Sequence, residues 1–65
     1  MKNNVRILRK AMGLTQEQLA KRVGISRQSL NATENNRMSP NLNHAFKITK
    51  ALNQDLIEDV FIYEE

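Results

Sequence analysis

The stretch Thr15–Asn35, TQEQLAKRVGISRQSLNATEN, reads as two short helices joined by a tight turn. Thr15 suits an N-cap, and Gln18 three positions on completes a capping box, so the first of these helices opens at Gln16. Leu19, Ala20 and Val23 recur at helical spacing and form its buried face. Gly24 stops it, because glycine enters the left-handed conformation of a helix C-terminus without steric cost. Ser26 then caps a second helix running from Arg27 to about Asn35.

On a helical wheel Arg27, Gln28, Asn31, Ala32 and Asn35 share one side of that second helix, with Ser29, Leu30 and Thr33 on the other. The outward side carries a guanidinium and side-chain amides but no carboxylate. Those groups match base edges in the DNA major groove, where Arg pairs bidentately with guanine and Gln or Asn with adenine. The competing reading is a solvated face that happens to be polar. The capped helix, the glycine stop and the amide-rich second helix together favour a helix-turn-helix.

The run LRKAMGLTQEQLAKRVGISRQSL (Leu8 to Leu30), followed by Glu34-Asn35 and Pro40, resembles the Xre/Cro-type, phage-repressor-like family of transcriptional regulators. The similarity extends from about Asn4 to Phe61. It implies an all-α, five-helix DNA-binding domain over residues 1–65, with the helix-turn-helix in helices 2 and 3 and a short extended segment at the C-terminal end. By the same resemblance Arg9, the arginine of the LR pair, reaches Glu34 and braces the recognition helix; the alternative is an exposed pair worth at most about 1 kcal/mol. Asn36 stands where the family commonly has glycine, and asparagine is the next-best residue at positive φ. Thr33 departs from a large apolar residue at that inward position; its hydroxyl can bond back to the Ser29 carbonyl.

Sixty-five residues without cysteine leave no disulfide or thiolate metal site, and the single His44 lacks partners at ligand spacing, so no metal or cofactor is expected. No signal peptide or membrane span is apparent, which fits a cytoplasmic, nucleoid-associated protein. The net charge of +3 is segregated: residues 1–50 hold all ten Lys and Arg against Glu17 and Glu34 (+8), and residues 51–65 hold five acids and no base (−5). Such a chain can turn a basic surface toward a polyanion.

Outside the central pair, Asn3 or Asn4 caps a first helix carrying Val5, Leu8 and Met12 inward, closed by Gly13. Ile7 fits that stripe poorly and reads as a satellite of the core, while spacing leaves the place of Arg6 open. Pro40-Asn41 opens a fourth helix from Leu42 to Leu52, with Leu42, Ala45, Phe46, Ile48, Thr49 and Leu52 inward and Asn53 ending it. Asp55 and Glu58 cap a fifth short helix carrying Leu56, Ile57 and Val60. Phe61 reads as finishing the core. The apolar tail Phe61, Ile62 and Tyr63 is also the candidate contact with a second copy; otherwise Ile62 and Tyr63 fold back on the fourth helix.

The functional expectation is a sequence-specific regulator of transcription, a repressor, binding an inverted-repeat operator as a homodimer. Arg27, Gln28 and Asn31 read bases and Ala32 touches a thymine methyl. Gln16, Ser26, Asn35 and Arg37 contact phosphates. An enzyme is disfavoured, since no Ser-His-acid or Cys-His set and no phosphate loop exists. The rival reading is an antitoxin or interaction module that uses the same fold to bind a toxin or antagonist protein.

Overall fold

A computed structural model describes residues 2–62. It contains β1 (Lys2–Asn3), α1 (Val5–Ala11), α2 (Gln16–Val23), α3 (Arg27–Glu34), α4 (Leu42–Ala51), a three-residue 3-10 turn (Ile57–Asp59) and β2 (Phe61–Ile62). The local signals act where the sequence puts them. Thr15 Oγ1 accepts from Gln18 N at 3.1 Å while Gln18 Oε1 accepts from Thr15 N at 2.8 Å, a complete capping box. Gly24, at φ 84°, ends α2, and Ser26 Oγ accepts from Ser29 N to start α3. Asn36 and Asn53 adopt φ 58°, the left-handed ends of α3 and α4.

The core gathers Val5 from α1, Leu19, Ala20 and Val23 from α2, Leu30 from α3, and Ala45 and Ile48 from α4, closed by Leu52, Val60 and Phe61. Thr33 is buried among them, and its hydroxyl donates to the Ser29 carbonyl at 3.0 Å. Thr49, equally buried, donates to the Ala45 carbonyl at 2.7 Å. No buried side-chain nitrogen or oxygen among the described residues lacks a partner.

The structure corrects several expectations. Among the described residues four α-helices form, not five. Leu56 is extended, Asp55 makes no cap, and only the 3-10 turn follows, because the chain is drawn directly into the β2–β1 pair. That antiparallel pair sets Lys2 opposite Ile62 and Asn3 opposite Phe61, and Asn4 N donates to the Val60 carbonyl at 2.7 Å. Asn4 does not cap α1 with its side chain; Asn3 Oδ1 accepts from Val5 N instead. Leu42 (68% exposed), Phe46 (51%) and Leu56 (52%) face outward, and Ile7 is likewise exposed. On α4 the buried face centres on Ala45, Ile48 and Thr49, continued by Leu52 just past its end, which leaves Leu42 and Phe46, one turn apart, on its flank. Phe61 is buried in the core and is not free to meet a second copy; Ile62 is partly exposed, and Tyr63 lies outside the described residues.

Candidate nucleic-acid interface

Gln16, Arg27, Gln28, Asn31, Ala32 and Arg37 line one shallow open trough along α3 and the start of α2. It contains two guanidiniums and three amides and no carboxylate. The α3 cap turns Leu30 and Thr33 into the core, so Arg27, Gln28 and Asn31 have the opposite side to themselves. Among the described residues the side chains of Arg27, Gln28 and Arg37 make no hydrogen bond to the protein. Their donors and acceptors are therefore available to an outside partner.

The remaining candidates are engaged. Ser26 Oγ accepts from Ser29 N and donates to Ser29 Oγ at 2.9 Å, so its hydroxyl hydrogen is used within the turn. Asn35 Nδ2 donates to the Asn31 carbonyl at 3.0 Å and to Asn31 Oδ1 at 3.2 Å. Asn31 Nδ2 donates to Gln16 Oε1 at 3.4 Å, and Gln16 Nε2 donates to Glu34 Oε1 at 3.2 Å. Gln16 keeps one amide hydrogen, whereas the Asn35 amide is spent inside the protein.

Beneath the trough Glu34 anchors α3 to α1. Arg9 Nε donates to Glu34 Oε2 at 2.8 Å and Arg9 Nη2 to Oε1 at 3.1 Å, a bidentate pair, while Arg9 Nη1 donates to the Leu14 carbonyl. Both side chains are almost wholly out of solvent. Burial by itself would raise the Glu34 carboxyl. The bonds from Arg9 and Gln16, the Arg9 charge and the bond from Arg6 outweigh it and hold the carboxyl below its ordinary value. Arg6, which spacing alone left open, lies across the end of α3: its Nε donates to Glu34 Oε1 at 3.3 Å and its Nη2 to Asn35 Oδ1 at 2.7 Å. It stays about half exposed beside the trough. The Arg9 bond is the brace that the family resemblance implied; Arg6, one turn earlier on α1, joins it at the same carboxylate.

The helix-turn-helix family model matches residues 5–58, most of the chain. The chain belongs to the Xre/Cro-type helix-turn-helix family. This helix-turn-helix protein is 49% identical over 65 residues to an uncharacterised HTH-type transcriptional regulator of Methanothermobacter thermautotrophicus, covering 100% of this chain and 94% of that one. It is 48% identical to one of Methanocaldococcus jannaschii, over 100% of this chain and 97% of the relative. It is 45% identical to the regulator YgzD of Bacillus subtilis, again over 100% and 97%. As a helix-turn-helix regulator it is a DNA-binding protein of transcription, and α2 and α3 are its helix-turn-helix. Among the described residues no helix of the regulator is long and apolar enough to cross a membrane.

Proposed function

We propose that this regulator represses transcription by binding an inverted-repeat operator as a homodimer, with α3 in the major groove. The observation that carries the reading is the acid-free trough in which Arg27 and Gln28 have no partner of their own. Arg27 suits a guanine edge, Gln28 and Asn31 an adenine edge, and Ala32 a thymine methyl. Gln16, with its remaining amide hydrogen, and the turn at Ser26 meet phosphates on one side. Arg37 and Arg6 meet them on the other, where Asn35 contributes by holding Arg6. If the two copies are related by a two-fold axis, half-sites lie about 34–36 Å apart.

The homodimer is supported by α4 and the segment after it. Leu42, Phe46 and Leu56 form an exposed apolar stripe that shares no residue with the reading trough. Phe46 separates a basic hollow with Arg22, Lys47 and Lys50 from an acidic one with Asp55 and Glu58. A ridge flanked by opposite charges is self-complementary, as an isologous contact requires.

Selection from randomised duplexes tests the reading directly. The protein should enrich one motif. Arg27→Ala and Gln28→Ala should each lose about 1–3 kcal/mol on it and relax different base pairs. Arg37→Ala should weaken all duplexes alike and lower the salt dependence by about one unit. Enrichment of no motif, or base preferences unmoved by both α3 substitutions, would overturn the assignment.

A further inference from the structure

We propose that Asn35 is a positioning residue for base readout: oriented by Arg6, it fixes which way the Asn31 amide faces the trough. The inference rests on the reading of α3 proposed above. Five side chains form a closed circuit of one-way hydrogen bonds. Arg6 Nη2 donates to Asn35 Oδ1, Asn35 Nδ2 to Asn31 Oδ1, Asn31 Nδ2 to Gln16 Oε1, and Gln16 Nε2 to Glu34 Oε1, the oxygen that also accepts from Arg6 Nε. A guanidinium can only donate and an ionised carboxylate can only accept. Each amide between them could be turned over, exchanging its oxygen and nitrogen with almost no change of shape. The two charged ends remove that freedom. Turning Asn35 over would set its NH2 against the Arg6 guanidinium and its oxygen against both the Asn31 carbonyl and Asn31 Oδ1. Turning Asn31 over would set nitrogen against nitrogen at Asn35 and oxygen against oxygen at Gln16.

Orientation matters because adenine presents a donor and an acceptor side by side in the major groove, in a fixed order. An asparagine free to turn over loses part of its preference for that order. Asn31 is therefore held from two sides before any duplex arrives, through Gln16 beneath and Asn35 at the helix end. Asn35 lies at the exposed end of α3 and belongs to the reading apparatus without itself meeting a base. This role differs from phosphate contact, which would carry no sequence information.

The test compares Asn35→Ala with Asn31→Ala in selection from randomised duplexes, together with the side-chain amide resonances of the free proteins. Asn31→Ala identifies the base pair that Asn31 reads. Asn35→Ala should relax preference at that same pair by about fivefold or more, and the double variant should relax it no further than Asn31→Ala does. In the free protein, Asn35→Ala should shift the Asn31 side-chain NH2 signals, and Arg6→Ala should shift those of both Asn35 and Asn31. Uniform weakening with preference intact would make Asn35 a phosphate contact and overturn the proposal. Relaxation at a different pair would make it a direct reader and do the same. If the wild-type protein enriches no motif, the DNA reading itself fails, and unmoved Asn31 amide signals in the free protein would still refute the clamp.

Discussion

Glu34 accepts four hydrogen bonds with its side chain wholly buried, from Arg6, Gln16 and twice from Arg9. Breaking a buried pair by removing one partner costs more than the pair contributes, because the surviving charge is left without compensation. Glu34→Gln leaves Arg9 in that position and should lower stability by about 3 kcal/mol, read from urea melts at neutral pH. The pH dependence follows from the same geometry. The folded carboxyl lies below its ordinary value of 4.5, so between the two values the unfolded chain binds the proton more readily. The contribution of Glu34 is therefore complete above about that ordinary value and is lost as pH falls through the folded one. Melts followed from neutral to acid pH should show wild type declining across this window more steeply than Glu34→Gln. Parallel declines would mean that the exposed acids, not Glu34, set the acid sensitivity.

At the scale of elements, side-chain bonding separates two asparagines that share one backbone conformation. Asn36 and Asn53 both take φ 58°, where glycine has no Cβ to strain. Asn53 is exposed, so Asn53→Gly should raise stability by about 0.5 kcal/mol. Asn36 Oδ1 accepts from Asn3 Nδ2 at 2.9 Å, and the same nitrogen donates to the Thr33 carbonyl, tying β1 to the end of α3. Asn36→Gly forfeits that bond and should gain nothing; equal gains in thermal melts would show that the tie contributes little. The contrast also marks what sequence could reveal. The boundaries of α2 and α3 were legible because caps and glycine stops act within four residues, and the Thr33 hydroxyl has its acceptor one turn back. The β1–β2 pair was not, since two-residue strands carry no period and owe their form to a partner about sixty residues away. Leu42 and Phe46 misled for a related reason: helical spacing identifies an apolar stripe, but not how much of its width the neighbouring elements cover. In the trough, spacing grouped Arg27, Gln28 and Asn31, whereas the use of Asn35 inside the protein depends on Arg6, a long side chain arriving from another helix.

For the whole molecule, the open question is how a chain this small gains enough affinity for an operator. Electrostatic affinity grows with the number of phosphates neutralised, and one copy of α3 with its flanking arginines reaches few of them. Pairing two copies through Leu42, Phe46 and Leu56 would double that number and bury the apolar stripe that the core leaves uncovered. Because these side chains are exposed, Leu42→Ser with Phe46→Ser should leave the fold of one copy intact while removing the contact. Wild-type protein should then melt at a temperature that rises with its concentration, since association stabilises only the folded form. The double variant should melt at a temperature independent of concentration and sediment as a monomer. Its slope of log affinity against log salt on the selected operator should be about half that of wild type, because each copy contributes its own released counterions. A variant that stays dimeric would move the contact elsewhere on the surface. A monomeric variant with an unchanged salt slope would mean that one copy suffices for the operator, and that pairing serves some other end.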